Sequence, residues 1–351
     1  MKNKRFGKKS VAQNMAIAAA CFVFIVAALV LVYQYARNLE VRSYPAAEMK
    51  GYTSVNSFAR HFTYGDKEYI YKNDLTTILF MGIDKTAAAT GAADSSSFPS
   101  FRSGGQADFL MLFVLDPNEK KITRLMIDRD TMAEITTLGV FGNVSGTRIE
   151  RLSLSHGFGD GQEQSAELTV DAISRWLMGI DINFYIAMNL DGIPLLNDTV
   201  GGITVTLEDD LSQFDAAFVP GATVTLHGEQ TAWFVRQRLT IGDGSNEARM
   251  KRQRVYLNSL ADNIAEKIHA DVNWIDRLFD TLQGSMVSNM SRGRMVNEAY
   301  KAMDYEAGPM DTLPGVHQVD ADGYVEFWPD EQALTEWALN TFAEEALDSV
   351  N

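Results

Sequence analysis

Between positions 235 and 257 the chain reads VRQRLTIGDGSNEARMKRQRVYL. This stretch carries Arg236, Arg238, Arg249, Lys251, Arg252 and Arg254 against only Asp243 and Glu247, in a chain of formal net charge −15. One reading is a solvated face balanced by acids elsewhere. The sharper one is a local site for a phosphate-bearing ligand, since the planar guanidinium fork makes two parallel hydrogen bonds to phosphate and stays charged. Residues 246–268 have the spacing of an amphipathic helix, which puts Arg249 and Gln253 on one face with Arg252 and Tyr256 beside them. Arginine near a helix N-terminus opposes the macrodipole, so the two together suit an anion. Arg236 and Arg238 point the same way if their backbone is extended and diverge if it is helical. Simple capping of a helix C-terminus would also account for them. Several arginines around one ligand favour a pyrophosphate over a monophosphate.

The acids have their own pattern. Asp84 closes an apolar run, TTILFMGID; Asp108 opens the next, DFLMLFVLD; Asp128, Arg129 and Asp130 close the third, KITRLMID. If these runs are neighbouring strands, their ends bring carboxylates to one edge of a sheet, where α/β folds bind ligands. Carboxylates beside phosphate point to Mg²⁺, which takes one or two of them plus substrate oxygens. Strand-end turns and Asp–Arg ion pairs are the plainer alternative. The five histidines have no ligand spacing, which argues against zinc. No Walker-type or dinucleotide-type glycine motif is present, and GVFGNVSGT (139–147) reads as a turn. An acidic chain is unsuited to nucleic acid or to polyanions over its whole surface, so an anion site must be local and shaped.

The elements that must carry these residues alternate. Strands are expected at 76–84, 108–116, 121–128, 182–192 and 203–209, the second and third as a hairpin. Helices are expected at 161–178, 193–202, 228–237, 246–268 and 330–347, with 323–329 as an edge strand. Residues 86–106 are small, polar and glycine-bearing, as in a long flexible loop. The pattern implies a mixed central β-sheet flanked by helices on both faces, an αβα sandwich.

Residues 1–14 hold Lys2, Lys4, Arg5, Lys8 and Lys9 and no acid, and an unbroken apolar run begins at Met15. Eighteen helical residues rise roughly 27 Å, close to a bilayer's hydrocarbon thickness. The expected organisation is a cytoplasmic tail at 1–14, a single transmembrane anchor at 15–35, a juxtamembrane stalk at 36–70 and an extracytoplasmic domain at 71–351. A cleaved signal peptide would have a shorter core and a small-residue cleavage site. The one cysteine, Cys21, lies in the apolar run, so the domain must be stabilised by its core rather than by disulfides.

GID at 82–84, ADFLMLFVLDPNEKKITRLMIDRDT at 107–131, NFYIAMNLDGIPLLNDTVGGITV at 183–205 and LHGEQTAWFVRQR with EARMKRQRVYL within 226–257 together resemble the LytR-CpsA-Psr family. The resemblance covers about 75–260, in the family's order. It implies a membrane-anchored phosphotransferase of mainly Gram-positive cell envelopes, which moves a glycopolymer from a polyprenyl pyrophosphate carrier onto peptidoglycan or, in some cases, protein. It also implies roles: Asp84 and Asp108 as Mg²⁺-associated acids, Arg129 as the arginine meeting the pyrophosphate, Arg236 and Arg238 as the V-R-x-R pair, and Arg249 and Gln253 as the R-x-x-x-Q positions. The chain departs from the family where Gln106 stands for an arginine, with Arg102 as a conceivable substitute, where Asp128 stands for a proline, and where Met132 stands for an aromatic. Two other functions remain open: a non-catalytic lipid-pyrophosphate-binding regulator and a lipid pyrophosphatase using water as acceptor.

Overall fold

The computed structural model describes residues 61–72, 74–86, 104–139 and 142–346, all within one compact unit, Met49–Asn351. The basic tail, the apolar run, residues 36–60 and the loop residues 87–103, with Arg102, lie outside the described residues. No helix among the described residues is long and apolar enough to cross a membrane.

The strands are β1 (His61–Tyr64), β2 (Lys67–Tyr71), β3 (Thr76–Ile83), β4 (Ala107–Asp116), β5 (Lys121–Ile127), β6 (Met132–Leu138), β7 (Val144–Arg151) and β8 (Phe184–Met188). They continue with β9 (Ile203–Thr206), β10 (Thr223–Leu226), β11 (Met286–Ser288), β12 (Glu306–Asp311), β13 (Gly315–Val319), β14 (Val325–Pro329) and β15 (Ala343–Glu345). The helices are α1 (Glu163–Trp176), α2 (Gly192–Val200), α3 (Glu229–Arg236), α4 (Asn246–Ala270), α5 (Trp274–Leu282), α6 (Arg292–Met303) and α7 (Glu331–Phe342).

The central sheet has six strands in the order β11-β8-β3-β4-β5-β12. β3, β4 and β5 run antiparallel in sequence, whereas β8 joins β3 and β12 joins β5 in parallel. The sheet is therefore mixed, as its alternating elements imply. β3 shows why it has helices on both sides. Its period-2 burial sends Leu79, Met81 and Ile83 into a core with Ala172 and Ile173 of α1 and Ala338 of α7. Phe80 faces the other way, toward Val200 of α2, Phe234 of α3, Leu260 of α4 and Leu278 of α5. The first face is closed along β3. The second is only half-buried along β3, because its helices leave a groove over the strand.

Four expectations change. The helix expected at 330–347 ends at Phe342, and Ala343–Glu345 forms β15. Residues 61–70, read as the end of a stalk, lie in the β1–β2 hairpin, and β2 pairs with β15 at the far end of the described fold. The stretch 323–329 belongs to a two-stranded ribbon with β13 and not to an edge of the main sheet. The turn expected at 139–147 gives way at Val144 to β7, which forms a hairpin with β6. β7 is exposed over most of its length, so it shows no alternation of polar and apolar residues by which it could be read.

Candidate functional site

The site is built where β3 ends and β4 begins. Gly82 pairs with Phe109, but Ile83 pairs with Ala107, so Asp108 is the extra residue of a β-bulge. A bulge re-aims a side chain out of the ladder, and Asp108 turns toward the groove beside Phe109. Asp84 follows β3 directly. Its Oδ1 accepts the Gln106 backbone N–H at 2.6 Å, while Asp84 N donates to Gln106 O at 3.0 Å. Burial pushes the Asp84 carboxyl above the ordinary carboxylate range, and the charge of Asp108 adds to this against the opposing Gln106 N–H and Arg129.

Arg129 leaves the end of β5 and spans this edge. One guanidinium nitrogen donates to Asp108 Oδ1, the other to Gln106 Oε1 at 2.6 Å, and Nε lies 3.2 Å from Asp130 Oδ1. Gln106 thus supplies an acceptor for Arg129 at the position where the family usually has another arginine. Asp130 was counted at the sequence level only as a strand end. It is buried, and its Oδ2 has no hydrogen-bond partner but lies 3.7 Å from Arg238 Nη1. Burial raises its carboxyl as well, with Asp128 adding to the effect and Arg129 and Arg238 opposing it.

The helix expected at 246–268 is α4, capped by Ser245, whose hydroxyl accepts from Ala248 N at 3.0 Å. Its inner face buries Arg249, Arg252, Gln253 and Tyr256. Arg249 donates to Asn246 Oδ1 at 2.5 Å and to Asp108 O at 3.3 Å, and its Nη1 lies 3.7 Å from Asp108 Oδ2. Its Nε is buried without a hydrogen-bond partner. Burial lowers its pKa to about 10, with Asp108 opposing and Arg129 and Arg238 adding to the fall. An anion would complete this buried cation.

Gln253 behaves differently. Its amide donates to Val235 O at 3.0 Å. Arg252, which sequence reasoning left without a role, donates to Phe234 O and Gln237 O and pairs with Asp209 at 2.7 Å. Together they hold the carbonyl end of α3, from which the V-R-x-R pair projects. α3 ends at Arg236, and Gln237 is extended, so the pair straddles a helix end and is neither wholly helical nor wholly extended. Arg236 goes to the apolar groove and Arg238 to a polar cavity.

Those two spaces meet at Asp84, which lines both. The polar cavity, about 920 Å³, contains Arg129, Asp130 and Arg238. The groove, about 280 Å³, is walled by Phe80, Met111, Phe113, Leu196, Leu260 and Ile264, with Asp108, Arg236 and Arg249 at its polar end. The structure therefore gathers Asp84, Asp108, Arg129, Arg238 and Arg249 and places Arg236 and Gln253 at the groove, where Gln253 also supports α3. No group of three or more His, Cys, Asp or Glu side chains that could hold a metal is found among the described residues. Two carboxylates, Asp84 and Asp108, do suit Mg²⁺, which fills its remaining positions with substrate oxygens and water.

This arrangement can grip a pyrophosphate between arginines and seat an apolar chain beside it. The chain is 28% identical over 223 residues to biofilm regulatory protein A of Streptococcus mutans, covering 60% of this chain and 50% of that protein. It is 23% identical over 257 residues to the polyisoprenyl-teichoic acid–peptidoglycan teichoic acid transferase TagU of Bacillus anthracis, covering 73% and 74%. The chain thus spans half of the streptococcal relative and about three quarters of TagU. The crystal structure of B. subtilis TagV shares the fold, with a TM-score of 0.57 at 21% identity over 77% of this chain and 96% of that one. The LytR_cpsA_psr family model matches residues 43–341, and the chain belongs to that family.

Proposed function

We propose that this protein is a phosphotransferase that moves a glycopolymer from a polyprenyl pyrophosphate carrier to peptidoglycan. The observation that carries the proposal is the junction at Asp84, the one carboxylate that lines both an arginine-bearing polar cavity and an apolar groove, with Asp108 on the groove side. A lipid pyrophosphate has this division of chemistry. The groove suits the prenyl chain, Arg129, Arg238 and Arg249 suit the pyrophosphate, and the polar cavity suits the glycan and acceptor. The transferase named for TagU is of the same class. An anchor at 15–35, with the domain outside the cell, would keep the enzyme beside both carrier and wall.

In the reaction, an acceptor hydroxyl attacks the phosphorus that bears the glycan. The bond from that phosphorus to the bridging oxygen breaks, and the prenyl phosphate leaves. Arg129 and Arg249, fixed before substrate arrives, neutralise charge growing on the leaving phosphate. Asp130 holds Arg129 and Arg238 at the cavity wall. The acceptor's proton passes toward the carboxylate edge at Asp84 and Asp108. Mg²⁺, held by the same two residues, would supply further charge neutralisation to the phosphoryl oxygens.

The test gives the purified full chain a polyprenyl pyrophosphate-linked sugar, peptidoglycan fragments and Mg²⁺, and follows products by mass spectrometry. The expected product is acceptor–glycan, lost on chelation and in the Arg236→Ala/Arg238→Ala variant. Glycan phosphate formed without acceptor would make the protein a pyrophosphatase instead. Bound lipid with neither product would favour a regulator, a reading that Gln106 supports by leaving one fewer arginine for the phosphates.

A further inference from the structure

The polar cavity extends well past the arginines at its inner end. Its outer part is bounded by two elements outside the central sheet, the β6–β7 hairpin and the β13–β14 ribbon. Arg148, Glu150 and Arg151 of β7 and Tyr324, just before β14, line it. The Arg151 guanidinium lies 4.7 Å from the centre of the Tyr324 ring and covers one face, while half of the tyrosine stays exposed.

That exposed aromatic is rigidly presented. Asp320 Oδ1 accepts from Asp322 N at 2.9 Å and Tyr324 N at 2.8 Å, and Asp320 N donates to Tyr324 O at 2.8 Å. Gly323 takes the positive φ, +85°, that closes the turn. The ribbon is in turn fixed to the segment carrying Arg129. Phe327 N donates to Asp130 O at 2.7 Å, and His317 Nε2 lies 2.9 Å from Asp128 Oδ2. Asp128 also accepts from Asn246 at the start of α4 at 2.7 Å. The residue standing where the family usually has proline therefore ties ribbon, Arg129 segment and helix together.

We infer that the outer cavity is a saccharide subsite, in which a sugar ring bearing a carboxylate or phosphate stacks on Tyr324 with its acidic group toward Arg148 and Arg151. The C–H face of a pyranose carries slight positive charge and is attracted to the negative face of an aromatic ring. Two arginines against one glutamate make the β7 wall the cationic side. Asp243 and Glu247 line the same cavity, so its acidic residues on the loop before α4 and the start of α4 are distinct in sequence from its cationic β7 wall. This inference rests on the reading of the cavity as a glycan-transfer site. It adds where a sugar sits and which side of it is acidic.

The test uses the full chain in detergent and three probes without turnover: a lipid-free muropeptide, a lipid-free glycosyl phosphate, and a polyprenyl pyrophosphate without glycan. Tyr324→Ala and Arg151→Ala are expected to weaken one or both sugar probes about tenfold and to leave the glycan-free lipid unchanged. Tyr324→Phe keeps the platform and should bind as wild type. Loss confined to the muropeptide assigns the subsite to the acceptor, and loss confined to the glycosyl phosphate assigns it to the donor. Sugar affinities within twofold of wild type in both variants, or no sugar binding by wild type, would overturn the inference. Failure of Arg129→Ala to weaken the glycan-free lipid would instead count against the proposed function.

Discussion

At the scale of single residues, the site is a set of charges held before ligand arrives. Arg129 already spends its donors on Asp108 and Gln106. Gln106→Arg would remove that acceptor and add a like charge, tolerable only with an anion bound. We expect about fivefold tighter polyprenyl pyrophosphate binding and a melting temperature lower by a few degrees in its absence, read by titration and calorimetry. Weaker binding would show that Gln106 positions Arg129 for the lipid. His156 sits farther back, buried, with Nδ1 2.8 Å from Gly104 O. Burial lowers its pKa from 6.5 to about 4, although the Gly105 and Gly104 carbonyls beside Nδ1 oppose the shift. The folded state thus binds fewer protons than the unfolded one. The resulting stability is full above pH 6.5 and is lost as pH falls toward 4. Unfolding in urea should cost about 2 kcal/mol less at pH 5 than at pH 7.5, and His156→Gln should flatten that slope. An unchanged slope would refute the assignment. Asp84, Asp108 and the arginines were legible in the sequence because each sits at the end of a clear element. Asp130 was legible only as a turn acid, since nothing local shows it facing two arginines.

At the scale of elements, α4 governs α3. Arg252 serves three acceptors with one planar group, so Arg252→Ala strands two carbonyls and Asp209. The expected cost is about 3 kcal/mol in chemical denaturation, with KM for the lipid raised several-fold as Arg236 and Arg238 lose their support. Arg252→Lys should rescue little, because an ammonium cannot reach the three acceptors in a fork. Unchanged KM with the stability loss present would separate α3 from substrate binding. The 3.6-residue pattern exposes α4 plainly. It does not show that Arg252 and Gln253 point at a neighbouring helix end, because the two helices meet only by packing. The exposed strand β7 had no periodic pattern to read.

At the scale of the whole molecule, one face of the sheet is closed and the other holds a groove. A side chain that fills the groove should discriminate donors by chain length. Leu196→Trp is expected to raise KM for a long prenyl pyrophosphate more than about tenfold and to leave a short-chain analogue nearly unaffected, as measured with donors of graded length. Equal losses for both would place the prenyl chain elsewhere. β15 pairs with β2, and Lys72 N donates to Phe342 O at 2.8 Å, so the two ends of the described fold close on each other. The sequence order gave no sign of this, and the first strands were read as a stalk.

The sequence by itself determined what short-range physics controls. Period-2 and period-3.6 patterns act over two to four residues, and they set β3 to β5, α4 and the strand-end acids. Tertiary structure decided what couples residues far apart along the chain. Asn246 meets Asp128 across 118 positions, Arg249 meets Asp108 across 141, and His317 meets Asp128 across 189. The groove lining belongs to the same class. Apolar residues occur in every element, and only the packing of the helix layer on β3 and β4 decides which of them are left facing a space.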